Sequence, residues 1–505
     1  MKSAEESGKT NEVAESMFLE WKAQTADQRE QERQRTDKFI EVSRRISREK
    51  YIEMNASNLN KLGLEESSII FFSRYSPMTI VELQTNEIVA AAETSVVTFI
   101  DFYEELQGED MSLATTIQSV EANYVRDTLG FDGYGVRIGQ HEKYFASNTD
   151  SATVGKVTHV GSGSLPPSGD LHPLNMARSI LTIAPNSRIW SVSNTGNTVT
   201  SFYKKIESLI DNGVYVINIS WGAIRDADET NWYKSAEIWL DHICNAHDIS
   251  VIQAAGNAGE TTGNICVPGL AYNVVTVGAV DDKNTGTNYS DDVIRASSST
   301  KNGNTIGCAK PDLMATDANN GGTSSATAVV TGVVAQMMEC RSALKTNPRA
   351  VKAILAASCT RKVPGESIYN GLTACQGAGV INARKAIWIL SAGRFTTGTL
   401  TASELSKTFS VTSSDNVISV SSVWFRANTV PSGSSHTSGT INTGTYIDLN
   451  LFVYKPNGSL QKSSSVITSA AEKVYFDVTT TGIYTIKLKK ANTSDPNAKY
   501  GLAWY

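Results

Sequence analysis

From Gly135 to about Ile389 the chain alternates between short β-branched runs and longer amphipathic stretches. VYVINIS (214–220), ISVIQAAG (249–256) and NVVTVGAV (273–280) are mostly apolar runs. Between the strand candidates stand SFYKKIESLID and WYKSAEIWLDHICNA, whose apolar residues recur at helical spacing. Strands that are apolar on both faces must be covered on both, and intervening helices supply that cover. The pattern predicts an α/β fold, a doubly wound and mostly parallel sheet. Such sheets carry functional loops at the carboxyl ends of their strands.

With 505 residues the chain is too long for one ordinary core. Residues 1–65 are dense in charge of both signs, and Phe39, Val42 and Ile46 fall there at helical spacing. Two readings stand for them, helices with a narrow apolar face or a solvated extension. Residues 66–112 hold a strand candidate IIFFSRY, a helical stretch PMTIVELQTNEIVAAA and a second strand candidate VVTFIDFY. That is a small α+β unit. Residues 113–392 form the α/β domain. From 393 to 505 Ser, Thr, Gly and Asn become frequent. YIDLNLFVY, EKVYFDV and IYTIKLKK alternate there, and YKPNGSL is a turn. An all-β sandwich or jelly roll is expected.

A net charge of -6 gives no footprint for nucleic acid. No apolar run is long enough to span a membrane. The start, MKSAEESGKTNEVAES, lacks the apolar centre of a secretory leader, so the protein either stays inside the cell or is written here in processed form. The six cysteines (Cys244, Cys266, Cys308, Cys340, Cys359, Cys375) form no CxxC pair, which argues against a zinc ribbon or thioredoxin-type site. Most read as small buried residues. The pair Cys359 and Cys375 could bridge a loop, although spacing alone does not show it.

The stretch GGTSSATAVVTG (321–332) runs from a glycine turn into an apolar helix. Ser324 in the first turn has backbone N–H groups around it and the positive end of the helix dipole beneath it, which suits an oxyanion. Alone, the stretch reads as a helix cap. With its neighbours it resembles the subtilases, the subtilisin-like serine peptidases. Their nucleophile motif is Gly-Thr-Ser-x-Ala-x-Pro, and Gly322-Thr323-Ser324-Ser325-Ala326-Thr327-Ala328 departs from it only at the final proline.

The resemblance implies Ser324 as nucleophile and covers about residues 113–390. It implies His172, in LHPLNMARSILTIAPNSRIW, as the base, with Pro173-Leu174 where the family has Gly-Thr. His159 is the rival and falls in a strand candidate. Glu142 stands where the family usually has Asp, and a carboxylate of either length can orient an imidazole. The alternative is a surface charge and a broken triad. His141 beside it is a minor candidate. Ala254-Ala255-Gly256-Asn257 matches the family's oxyanion segment, implying Asn257 as a donor. The order carboxylate, His, Ser is that of subtilisin.

NISWG (218–222) resembles the strand end that pairs with substrate backbone, implying Ser220, Trp221 and Gly222 as substrate wall together with Ala255 and Gly256. VPGLAYNVVTVGAV resembles the pocket-lining stretch, implying Cys266 at the pocket base and a cis bond before Pro268. KPDLMAT (310–316) matches a segment ending in Ala-Pro-Gly, but Asp317 follows here. Residues 66–105 resemble the inhibitory propeptide, which would sit in the cleft, with processing around ELQGEDMS (105–112).

The expected activity is a serine endopeptidase acting on polypeptide, made as a self-inhibited precursor. A catalytically impaired binding protein of the same fold is the alternative, and an adhesive protein led by its C-terminal part is a third. No cofactor is required for the chemistry. Calcium sites are common in the family, and no Asp cluster here maps to one. The flanking units point to a secreted or cell-surface protein, the missing leader to a cytoplasmic one.

Overall fold

A computed structural model describes residues 26–64, 66–97, 100, 118–196, 198–223, 234–259, 265–283, 285–286, 288–298, 310–317, 321–361, 363, 372, 375–425, 447–465, 470–491 and 498–505. Helix α1 (Ala26–Leu62) leads to strands β1 (Ile69–Phe72) and β2 (Thr79–Val81) and helix α2 (Thr85–Ala92). The central part continues through β3 (Arg137–Glu142), β4 (Val157–His159), α3 (His172–Ile183), β5 (Arg188–Ser193), α4 (Val199–Asp211), β6 (Val216–Ile219), α5 (Ser235–Ala246) and β7 (Ser250–Ala254). It ends with β8 (Val275–Asp281), β9 (Val293–Ile294), β10 (Leu313–Thr316), α6 (Gly322–Cys340), α7 (Pro348–Ser358) and α8 (Ala383–Ser391).

The central sheet has the order β10-β8-β7-β6-β3-β5-β4, and every pair along it is parallel. β9 adds antiparallel to β8. Every residue of β6 and β7 is buried, as strands covered on both faces require. α4 buries Phe202, Tyr203, Ile206, Leu209 and Ile210 and exposes Lys204 and Asp211, the stripe expected of a covering helix. α6 is different, because all of it but Glu339 is buried and it runs through the core. Its Gly332 lets α3 approach closely, since a Cβ there would lie 2.7 Å from the Ile183 Cβ.

Strands β11 (Phe395–Leu400), β12 (Glu404–Val411), β13 (Val417–Trp424), β14 (Leu449–Tyr454), β15 (Leu460–Ser464), β16 (Ala471–Asp477), β17 (Gly482–Lys490) and β18 (Ala498–Trp504) make two four-stranded antiparallel sheets, β11-β18-β13-β16 and β12-β17-β14-β15. Val420, Trp424, Leu451, Ile486 and Leu502, drawn from both, share one apolar cluster. The first sheet also docks on the central domain. Gly501 lies against the carbonyl of Arg349 in α7. Buried Lys473 Nζ donates to the carbonyls of Ala356, Cys359 and Ala378 at 2.9, 2.6 and 2.6 Å.

The N-terminal part departs from expectation in two ways. α1 does form, but Phe39 and Ile46 are 65% and 58% exposed, while Ile40, Arg44 and Asn55 are buried. The helix docks through Ile40, which joins the main apolar cluster, and through polar contacts. Asp37 takes the Tyr215 hydroxyl at 2.6 Å and Lys345 Nζ at 3.2 Å, and Asn55 Nδ2 donates to the carbonyls of Ser73 and Ser76. The stretch PMTIVELQTNEIVAAA is not helical throughout. Its β-branched Thr79–Val81 pairs antiparallel with β1, and the helix starts only at Thr85, where Glu87 accepts the Gln84 N–H. VVTFIDFY and the 105–112 segment lie mostly or wholly outside the described residues.

No bridge joins Cys359 to Cys375; the Cys359 thiol donates instead to the Leu355 carbonyl. Cys308 is outside the described residues. Among the described residues, no helix is long and apolar enough to cross a membrane.

Candidate active site

The carboxyl ends of β3, β6, β7 and β10 and the amino ends of α3 and α6 contribute Glu142, Ser220, Asn257, Asp317, His172 and Ser324. On β3, alternate side chains point the same way. Gln140 and Glu142 both reach the first turn of α3. Gln140 Nε2 donates to the Pro173 carbonyl at 2.7 Å, and Glu142 Oε2 lies 3.3 Å from His172 Nδ1. Asp170 Oδ1 accepts the His172 N–H, one of the donors a helix start leaves without an intrahelical partner. Pro173, in the same turn, has no such donor to satisfy. The His172 and Glu142 side chains are only 5% and 1% exposed. Glu142 is therefore a buried side chain against the imidazole rather than a surface charge.

His141, between Gln140 and Glu142, faces the other side of the sheet. Its ring stacks on Trp221, and its Nδ1 accepts the Trp221 indole N–H at 2.7 Å. Burial pushes its pKa down to about 3, with Lys205 nearby acting in the same direction. It is a neutral core residue. His159 stacks on Phe145 with ring centroids 4.4 Å apart and bonds to the Ala146 carbonyl, also a structural role.

Ser324 is in the first turn of α6 and 4% exposed. Its hydroxyl donates to the Ser220 carbonyl at 2.7 Å, and the Ser220 hydroxyl donates back to the Ser324 carbonyl at 2.9 Å. Behind Ser220, Asn218 Nδ2 donates to the Ser220 Oγ and Thr331 Oγ1 to Asn218 Oδ1. The end of β6 thus holds Ser324 and, through Thr331, the helix that bears it.

Asn257 is half-buried beside the same turn. Its Oδ1 accepts the Thr323 N–H at 3.1 Å, and the Thr323 hydroxyl lies 3.2 Å from both that oxygen and the Gly256 carbonyl. The amide oxygen being occupied, Nδ2 is the end of Asn257 left to donate. The role of Thr323 was not read from the sequence, although it stands inside the motif that marked Ser324.

Of the expected substrate-facing residues, Gly222 and Cys266 meet, and a Cβ on Gly222 would lie 2.3 Å from the Cys266 Sγ. Ala223 and Val267 form the adjoining bridge, and Val267–Pro268 is cis as expected. Cys266 is 7% exposed, and its thiol donates to the Ala254 carbonyl. The other four are engaged within the protein. The Ser220 side chain holds Ser324, the Trp221 indole turns to His141, Gly256 is bonded to Thr323, and Ala255 pairs its N–H and C=O with Val277 and Cys266. Among the described residues, no group of three or more His, Cys, Asp or Glu could hold a metal ion.

Sheet and helix arrangement define a doubly wound α/β domain with a serine at a helix start and a buried His–carboxylate pair. A family model described as the subtilase family matches residues 158–379. That span lies within the central domain and is similar to a subtilase peptidase domain. The matched span holds His172, Asn257 and Ser324, whereas Glu142 lies upstream of it. The alkaline protease of Alkalihalobacillus alcalophilus is 25% identical over 230 residues, 42% of this chain and 57% of that one. The serine protease AprX of Bacillus subtilis (strain 168) is 31% identical over 166 residues, 28% of this chain and 35% of that one. The chain thus spans about half or less of the length of these relatives. Among solved structures, the prenylagaramide maturation protease PagA is similar over 52% of this chain and 97% of its own, with 23% identity and a TM-score of 0.40.

Proposed function

We propose that the protein is a serine endopeptidase. Ser324 Oγ attacks the scissile carbonyl while His172 Nε2 takes its proton and then passes it to the leaving amine. Glu142 holds the imidazole by Nδ1 and stabilises its cation. Asn257 Nδ2 and the Ser324 N–H receive the negative oxygen of the tetrahedral intermediate. Water then takes the place of the amine and releases the acyl group from Ser324. The observation that carries this reading is the buried His172–Glu142 contact of 3.3 Å between the end of β3 and the start of α3, in the domain whose β7 end and α6 start carry Asn257 and Ser324. Gly222 and Cys266 form the wall nearest a side-chain pocket, beside the backbone of Ser220, Trp221, Ala255 and Gly256.

Domain boundaries follow as 1–65, 66–112, 113–392 and a sandwich over 393–505. Residues 66–112 would act as an attached inhibitor. In support, Arg74 pairs with Glu207 and Asp211 of α4, and the Tyr75 carbonyl bonds to His247 after α5. The precursor would be secreted or cell-surface, with the cytoplasm as alternative.

A second reading, a binding protein with an impaired site, rests on the Ser324 hydroxyl, which donates to the Ser220 carbonyl. Incubation of the purified chain with an unfolded protein, followed by mass spectrometry of fragments, separates the two. Cleavage that disappears in Ser324→Ala supports the enzyme; a substrate left intact even after removal of residues 1–112 favours the binding protein.

A further inference from the structure

Asp317 occupies the point where the chain departs from the subtilase pattern, directly after β10. Its side chain is fully buried. Oδ2 accepts the Gly322 N–H at 3.2 Å, and the same oxygen pairs with the Arg295 guanidinium. Arg295 is itself held. Its N–H donates to the Ala279 carbonyl, and its guanidinium lies 3.9 Å from Asp281. A carboxylate taken out of water is costly unless it is paired and hydrogen-bonded, and Asp317 is both.

The partner of Asp317 is the turn residue of the site. Gly322 has φ +59, the left-handed region open to glycine, and a Cβ there would lie 2.5 Å from Asn257 Oδ1. The next N–H, that of Thr323, donates to that same Asn257 oxygen. Two consecutive backbone donors are therefore pinned by side chains from two strand ends, Asp317 after β10 and Asn257 after β7. The N–H after them is that of Ser324.

We infer that Asp317, held by Arg295, is a positioning residue that sets the direction of the Gly322–Ser324 amides and with them the oxyanion site. This rests on the catalytic reading of Ser324 and Asn257. Asp317 touches no substrate. It acts on where the Ser324 N–H points when charge develops on the carbonyl oxygen, a moment at which small misplacements are costly.

The test compares the wild-type chain with Asp317→Ala, Asp317→Asn and Arg295→Ala on a peptide substrate, together with inhibition by a peptide boronate as tetrahedral mimic. Asp317→Ala is expected to lower kcat about 10- to 100-fold with KM little changed, less than outright loss of an oxyanion donor. Boronate affinity falls in parallel. Asp317→Asn keeps a carbonyl that can take both donors and retains most of kcat. Arg295→Ala shows the same kcat-only loss in milder form and carries the test if Asp317→Ala does not fold. Wild-type kcat in Asp317→Ala, an equally impaired Asp317→Asn, or a loss confined to KM overturns the role of Asp317. A wild-type protein that, once residues 66–112 are released, neither hydrolyses peptides nor binds the boronate removes the catalytic reading instead.

Discussion

His172 Nδ1 stands 3.3 Å from Glu142 Oε2, with both side chains withdrawn from solvent. Glu142 ends a strand that also ties Gln140 to the first turn of the histidine's helix, so the longer carboxylate is delivered by a braced backbone.

That contact makes Glu142→Gln an informative change. The amide preserves shape but not charge, and it favours the wrong imidazole tautomer. We expect kcat to fall by about 10³–10⁴ with the fold intact by circular dichroism. Activity near wild type would remove Glu142 from the mechanism.

In the proposed mechanism Asn257→Ala removes the side-chain donor to the oxyanion, and it also frees the Thr323 N–H. The expected cost is about 10²–10³ in kcat with KM little affected, read from steady-state kinetics on a peptide. A change confined to KM would make Asn257 a substrate contact instead.

Much of this arrangement is local and could be read before any fold was known. Ala254–Asn257 ends a strand and Gly322–Ser324 opens a helix, and each motif carries its geometry in its own glycines. The parallel sheet was equally legible, because β6 and β7 are apolar on both faces. What escaped depends on packing between distant segments. Nothing in NISWG says that the Trp221 indole turns inward to His141. Nothing near Asp317 indicates that Arg295 and Gly322 meet on its oxygen. On α1, helical spacing singled out Phe39 and Ile46, but the docking face carries Ile40 together with Asp37 and Asn55, whose partners come from Tyr215, Lys345 and the β1–β2 turn.

The buried imidazoles make stability depend on pH. Burial holds His141 and His247 down to about 3 and His242 to about 4, while an unfolded histidine titrates near 6.5. Between those values the unfolded chain binds protons that the folded chain refuses. Their contribution is present in full above about pH 6.5 and is lost as pH falls towards 4 and 3. Thermal unfolding should show Tm falling over that window, and falling less steeply in His141→Gln. Parallel Tm curves for variant and wild type from pH 7 to 4 would contradict a neutral buried His141.

Arg74 binds the 66–92 unit to the central domain. Glu207 is 1% exposed, and burial pushes its pKa up against the opposing pull of Ser73 and Arg74. Arg74→Ala leaves that carboxylate with fewer donors and should cost about 1–3 kcal/mol in denaturant unfolding. An unchanged midpoint would mean that the unit is held by other contacts.

The central claim is that Ser324 is an activated nucleophile. Treatment of the chain with a fluorophosphonate, followed by peptide mass mapping, tests it most directly. The account predicts one phosphonyl adduct on the peptide bearing Ser324, absent from Ser324→Ala and strongly slowed in His172→Ala. A folded chain that remains unlabelled after removal of residues 1–112, or an adduct on another serine, would contradict it.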